Sequence, residues 1–194
     1  WQYANNVPTK QYRSGNTLPR NMYLFNDGGE TYVGVEPAKE LLALRDRAVV
    51  KASFTLGSKT FKQLFKNPTG AYEIVADITP ATGSKLRLVL SNSKGEKVTM
   101  TYNTADKTFS MDRAKSGDTT FSEAFPAMTV APVKGGGIKR LRIFVDNSSI
   151  EVFEADGRMA MTNLVFPAEP YNTLTLTSDG RCKVNSFTVY SIKK

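Results

Sequence analysis

The 194-residue chain has no histidine, and Cys182 is its single cysteine. Without histidine, Ser-His-Asp and Cys-His nucleophilic sites and most zinc sites are excluded. With one cysteine, an internal disulfide and a cysteine metal cluster are excluded as well. No apolar run approaches the ~20 residues needed to cross a bilayer, so no membrane partner is expected. No secretory signal is visible in the polar and aromatic opening residues, an absence without weight if the chain is the tail of a longer protein. There is no internal repeat and no low-complexity linker. A lysine or arginine cluster is also missing. The formal charge of +8 is scattered singly along the chain, which argues against nucleic acid and for a solvated surface, part of it facing an acidic neighbour. Any chemistry must come from carboxylates, lysine, tyrosine or an external cofactor.

Hydrophobic residues make up 40% and charged residues 23%, the proportions of a folded chain rather than a disordered one. A chain of this length buries roughly 70% of its unfolded surface, enough for one core with a small appendage. The clearest pattern lies between Ile138 and Pro167. Leu141, Ile143 and Val145 alternate with Arg140, Arg142 and Phe144, the two-residue period of a strand with one face on a core. Asp146-Asn147-Ser148-Ser149 and Asp156-Gly157 are turn chemistry, so the segment reads as a three-stranded antiparallel meander. Ile150 and Val152 set a parity that Phe153 breaks, and Val165-Phe166 breaks it again. Either a bulge shifts the register there, or both faces of the sheet are covered, by a neighbouring domain or a partner.

Residues 1–35 are punctuated too often for a core of their own, by Asn5-Asn6, Val7-Pro8, Ser14-Gly15-Asn16 and Leu18-Pro19. Within them, Met22 to Phe25 and Thr31 to Val35 flank Asn26-Asp27-Gly28-Gly29, a β-hairpin that needs something to lie on. Residues 36–50 are the one helical candidate. Pro37 suits a first turn, Leu41, Leu42 and Leu44 share a face, and Arg45 and Arg47 suit the negative end. This predicts a short linker helix strapping the front segment to the body. From 51 to 194 strands recur at roughly ten-residue spacing with turn signals between them, which predicts an all-β antiparallel sandwich or barrel.

Several blocks carry a resemblance. Ser148-Ser149-Ile150-Glu151-Val152-Phe153, Asp156-Gly157 and Met161-Thr162 resemble the C-terminal sandwich of glycoside hydrolase family 32, the invertases, levanases and fructanases. Met111-Asp112-Arg113 with Ser116-Gly117 resembles a second block of that family. Trp1 to Ala4, Pro8-Thr9 and Thr17-Leu18-Pro19-Arg20 resemble the end of its catalytic propeller. The resemblance implies a two-sheet antiparallel β-sandwich, a concanavalin-like jelly roll. It also implies a parent that hydrolyses β-fructofuranosyl bonds in sucrose, levan or inulin with retention and no cofactor, and it is compatible with a secreted or periplasmic parent. The expected partner is the catalytic propeller domain of that parent, with residues 1–35 a remnant of its last strands.

The family's chemistry resides in N-D-P-N-G, R-D-P and E-C blocks, none of which occurs here. Arg45-Asp46-Arg47 resembles R-D-P but lacks the proline. Two carboxyl groups must converge on a glycosidic bond, about 5–5.5 Å apart for retention. Glu151 and Glu154, three apart on one strand, point to opposite faces and read as surface or interface residues. No catalytic residue, cofactor site or metal site is therefore assigned. Asp77, Asp146, Asp156 and Asp179 sit at turns without the Asp-x-Asp-x-Asp spacing of a calcium loop.

The expected interdomain contacts are Tyr23, Phe25, Tyr32, Leu41 and Leu44. Asp112 and Arg113 either pair across a domain boundary or order their own loop. Trp1, Tyr3, Tyr12, Tyr23, Tyr32, Tyr102 and Tyr171 are available to stack on a sugar, or to pack in the core or at an interface. Two other functions stay open: an independent lectin-like carbohydrate-binding module, which would take fructan or another carbohydrate, and a structural or dimerising sandwich.

Overall fold

Strand-forming residues dominate the computed structural model, which describes residues 2–13, 15–66 and 69–193. Trp1, read above as part of a strand end and a stacking candidate, and Ser14 of the Ser14-Gly15-Asn16 turn lie outside the described residues. The front segment contains the expected hairpin, β1 (Arg20–Asp27) and β2 (Glu30–Pro37). Its turn is made by Gly28 and Gly29, both at positive φ (60° and 87°), which side chains other than glycine adopt at a cost.

Twelve further strands follow. They are β3 (Arg45–Leu56), β4 (Phe61–Leu64), β5 (Tyr72–Pro80), β6 (Lys85–Ser91), β7 (Lys97–Asn103) and β8 (Thr108–Lys115). Then come β9 (Thr129–Pro132), β10 (Arg140–Val145), β11 (Ser149–Glu154), β12 (Ala160–Leu164), β13 (Thr173–Ser178) and β14 (Cys182–Ile192). They form two six-stranded antiparallel sheets, ordered β12-β11-β10-β5-β14-β3 and β4-β13-β6-β7-β8-β9. Strands from the two ends of the body, β3 and β14, are neighbours, and the sheets close as a sandwich.

The alternating pattern explains the core. Ile74, Leu90, Met100, Ile143, Val152 and Phe187 are all buried between the sheets, each contributing about 1.5–3 kcal/mol by leaving water. The meander β10-β11-β12 is present as expected.

Two expectations are corrected. The linker helix over 36–50 shrinks to a six-residue 3₁₀ helix, Lys39–Leu44, preceded by Pro37 as the last residue of β2 rather than a first helical turn. From Arg45 the chain is a strand. Val49 and Val50 are β-branched, and β14 offers a long partner through Val50↔Val189, Ala52↔Phe187 and Phe54↔Val184. Pairing of that length outweighs a weak helical propensity. The second correction concerns Phe153. No bulge shifts its register, since β10–β11 runs unbroken from Leu141↔Glu154 to Val145↔Ile150, and β11–β12 from Ser149↔Leu164 to Phe153↔Ala160. Instead the sheet is covered on both faces, and the cover is the chain's own front segment. Phe144, Phe153 and Leu41 form a second buried cluster with Leu18, Val35 and Ala160 packed against it. Phe166 belongs to a separate aromatic group with Phe121 and Phe125, on which Tyr3 packs edge-on.

Candidate functional site

The outer face of the meander is where the sequence's loose ends meet. Glu151 projects from β11 beside Phe153, and its side chain is only 5% exposed. A carboxylate so placed needs several donors to offset lost hydration. It accepts the backbone N–H of Leu18 at 2.8 Å, Arg20 Nη2 at 2.5 Å and Thr162 Oγ1 at 3.2 Å. The Arg20 guanidinium also lies 5.2 Å from the centre of the Phe153 ring. Glu151 therefore pins the entry of the hairpin to the sheet.

Glu154, at the end of the same strand, does another job. Its Oε2 accepts the N–H groups of Asp156 and Arg158 at 3.0 and 3.3 Å, ordering the turn before β12. Burial pushes its pKa up, and those two N–H groups only partly oppose the shift. In that turn Gly157 has φ 66°, and its carbonyl accepts the N–H of Val35 at 2.8 Å. A Cβ there would sit 3.0 Å from the Val35 backbone, so glycine lets β2 approach. Both carboxylates are buried rather than on the surface, and each is already committed to structural donors.

The hairpin has two unlike faces. Tyr23, Phe25 and Tyr32 share one, with ring centres 6.2 and 5.6 Å apart along the row. This face lies on the body. Arg158 sits 5.2 Å from the Phe25 ring centre, and Lys134 donates to the Tyr32 hydroxyl at 3.1 Å. Gly34 leaves room for the Tyr23 ring, whose Cζ would be 2.4 Å from any Cβ at that position. The opposite face carries Met22 and Leu24, both 71% exposed, and Val33, 53% exposed. The Leu24↔Val33 pairing, with Met22 two residues from Leu24, places them in one patch, while Val35 at the far end of that face turns onto the second cluster. This patch is not among the expected contacts, because the hairpin is apolar at both parities and its aromatic parity is the stronger local signal.

The remaining expected positions fall as follows. Leu41 is buried in the second cluster, whereas Leu44 is 40% exposed. Leu44 also borders a hollow of about 290 Å³ with Leu18, Phe144, Glu151 and Ile192. Asp112 and Arg113 do not pair with each other. Asp112 is exposed and accepts the N–H of Ala114 at 2.9 Å. Arg113 is buried, donating to Leu164 O at 3.2 Å and Tyr3 Oη at 3.1 Å, with its guanidinium 4.2 Å from the Phe125 ring centre.

Arg45 of the Arg45-Asp46-Arg47 triplet is structural. It grips the fully buried Glu73 through Nε (2.6 Å) and Nη2 (2.9 Å), and Arg142 Nε reaches the same carboxylate at 2.7 Å. Asp77 accepts Arg140 and Ser186, and Asp179 accepts the N–H of Lys85 at 2.6 Å. Among the described residues, no group of three or more His, Cys, Asp or Glu side chains could hold a metal ion. Tyr102 and Tyr171 are buried, and Tyr12, 51% exposed, lies against Ser148. The Cys182 thiol is buried and pushed up to about 11, which makes it a poor nucleophile.

Likenesses to known proteins bear on this arrangement. The family model described as "Glycosyl hydrolases family 32 C terminal" matches residues 40–191. A levanase of Bacillus subtilis (strain 168) is 33% identical over 201 residues, covering 100% of this chain and 29% of that protein. An extracellular exo-inulinase of Aspergillus awamori is 29% identical over 191 residues, covering 93% of this chain and 34% of that one. The solved structure of exo-inulinase from Aspergillus awamori superposes with a TM-score of 0.86 at 24% identity, over 100% of this chain and 39% of the other. The likeness in structure supports the sandwich fold. In each of these comparisons the chain spans well under half of the relative's length.

Proposed function

The chain belongs to the C-terminal domains of glycosyl hydrolase family 32, and on that premise we propose that it is the non-catalytic sandwich of a longer enzyme acting on β-fructofuranosyl bonds in levan, inulin or sucrose. Its task is to hold the catalytic domain through the hairpin. The observation that carries this reading is the exposed patch of Met22, Leu24 and Val33 on an element whose other face is already fastened to the sandwich. Three large apolar side chains in water lose about 1.5–3 kcal/mol each relative to burial, so a docking partner is the economical explanation.

Tyr23, Phe25, Tyr32 and Leu41 serve the docking indirectly, by fixing the hairpin and its strap on the body. Leu44 and Asp112, both exposed, are candidates for direct contact with the catalytic domain. Residues 1–35 are read as the last strands of the catalytic domain, carried on the sandwich. Hydrolysis itself is assigned elsewhere. The buried carboxylates Glu73, Glu151 and Glu154 each face arginine or backbone donors rather than a shared cleft.

The test is complementation. The 194-residue chain alone should release no fructose from levan, inulin or sucrose, and mixing it with the separately produced catalytic part should restore activity. Met22→Asp with Leu24→Asp should abolish that rescue while leaving the circular-dichroism spectrum unchanged. Turnover by the chain alone, or rescue indifferent to the double substitution, would overturn the reading. Saturable binding of levan or inulin by the isolated chain would favour a lectin-like role instead.

A further inference from the structure

A second site, distinct from the exposed hairpin patch and independent of the reading above, lies at one end of the sandwich beside the hairpin turn, where Asp27 already accepts the N–H of Gly135 at 3.1 Å. There a cleft of about 620 Å³ opens between the ends of β5 and β7 and the loop before β10. That volume is in the range of small-molecule sites. Three separate departures from regular backbone converge on it. Asn185 is the extra residue of a bulge in β14, lying between Val184↔Ile78 and Ser186↔Asp77. Lys107 is the one non-glycine residue at positive φ (50°) among the described residues. Gly135-Gly136-Gly137 forms the third wall, with Gly135 and Gly137 at φ 69° and 84°. A bulge and a left-handed lysine each cost stability and re-aim a side chain, and such features gather at binding sites.

The chemistry of the lining is weighted towards donors. Lys107 and Lys139 both border the cleft, and neither is in an ion pair among the described residues. Among the described residues no hydrogen bond occupies the N–H groups of Gly136 and Gly137. The glycines are required by packing as well: a Cβ on Gly137 would lie 2.6 Å from the Tyr102 hydroxyl, which itself accepts the N–H of Ile138 at 3.2 Å. Hydroxyls of Thr79 and Thr82 complete the wall, and Asn185 Nδ2 donates to Thr79 Oγ1 at 3.2 Å, leaving the amide oxygen of Asn185 unengaged. The acid in the lining, Asp77, is already paired with the Arg140 guanidinium and accepts the Ser186 hydroxyl. The one aromatic residue in the lining, Tyr102, is buried, so nothing offers a ring face for stacking.

We propose that this cleft binds a small hydroxylated anion, a sugar phosphate or a sugar acid, with the anionic group at the two lysines and the N–H groups of Gly136 and Gly137 and the hydroxyls on Thr79, Thr82 and Asn185. Charge-assisted bonds to lysine and backbone N–H carry the affinity, and the neutral side chains select for hydroxyls.

The experiment is a nuclear magnetic resonance titration of the isotopically labelled 194-residue chain with fructose 6-phosphate, galacturonate, inorganic phosphate and neutral fructose. The two anionic sugars should shift the amides of Lys107, Gly136 and Gly137 saturably at millimolar concentration, and phosphate and fructose should each bind about tenfold more weakly or worse. Lys107→Gly, which keeps the positive φ, combined with Lys139→Gln should weaken both anionic sugars by about tenfold with the rest of the spectrum unmoved. No saturable shift at these amides, equal affinity for neutral fructose or for bare phosphate, or binding unaffected by the double substitution would each overturn the proposal.

Discussion

The two faces of the β10–β11 pair are built from one stretch of sequence and are held in different ways. The inner face, Ile143, Val145, Ile150 and Val152, meets the buried apolar residues of the core. The outer face, Arg142, Phe144, Glu151 and Phe153, is buried nearly as deeply at its aromatic positions, but its lid is the front segment, held in part by the Arg20–Glu151 ion pair, and its Arg142 is tied within the sheet to Glu73. Apolar packing tolerates loss of a neighbour at the cost of a cavity. A buried charge that loses its partner has no comparable fallback. The inner face therefore holds the sandwich together unconditionally, and the outer face holds the hairpin only while every charge keeps its counterpart.

The sharpest way to break this contrast is at Glu73, whose fully buried carboxylate is shared by Arg45 and Arg142. Glu73→Gln leaves two guanidinium groups facing a neutral amide. Urea unfolding should show a loss of about 3–5 kcal/mol, and a loss below about 1 kcal/mol would mean that both arginines turn out to solvent, as exposed pairs do. Next come Ile143→Ala and Phe153→Ala, one on each face, each expected to cost about 2–5 kcal/mol. They should differ in where the cost appears. Ile143→Ala should lower the global transition, whereas Phe153→Ala should first speed hydrogen exchange in residues 15–44 and leave the inner strands protected. Identical exchange maps for the two variants would merge the two faces into one cooperative unit.

Much of the inner face was legible because its information is local. Leu141, Ile143 and Val145 announce a strand by alternation, and Asp156-Gly157 announces a turn whatever the rest of the chain does. The outer face was legible only as an anomaly. Phe153 broke the parity of Ile150 and Val152, and no local rule says whether a bulge, a partner or the chain itself resolves such a break. Here the answer came from Leu18, Val35 and Leu41, more than a hundred residues earlier. Separation in sequence likewise hid the role of Glu151, whose partners include Leu18 and Arg20, and that of Glu73, whose partners sit 28 and 69 positions away. The helix expected over 36–50 failed for the same reason. Leu41 and Leu44 do suggest a turn, but β14 claims everything from Arg45 onward. The cleft at the end of the sandwich had a faint sequence signal, three consecutive glycines at 135–137, with no way to know what faced them.

The smallest expected effect sits at the rim between the two faces, where Glu154 orders the turn that receives Val35. Burial raises the pKa of this carboxyl, so the folded state binds its proton more tightly than the unfolded state does. Its contribution is then most favourable below the unfolded carboxylate range and declines as pH rises through the folded value. Asp77 runs the other way. The Arg140 guanidinium beside it lowers its pKa, so its contribution is present above the unfolded range and is lost as pH falls through the folded value. Glu154→Gln retains an acceptor for the N–H groups of Asp156 and Arg158 and removes the buried charge. It should therefore raise stability slightly at neutral pH, with the gain shrinking on acidification. Asp77→Asn should lower stability at neutral pH and flatten the acid limb. Melting temperatures of the two variants across the acid range should diverge near neutrality and converge on the unsubstituted protein at low pH. If Glu154→Gln instead lost stability at every pH, the carboxylate's bonds to the turn would outweigh its burial, and the hairpin's seat would depend on charge as much as Glu73 does.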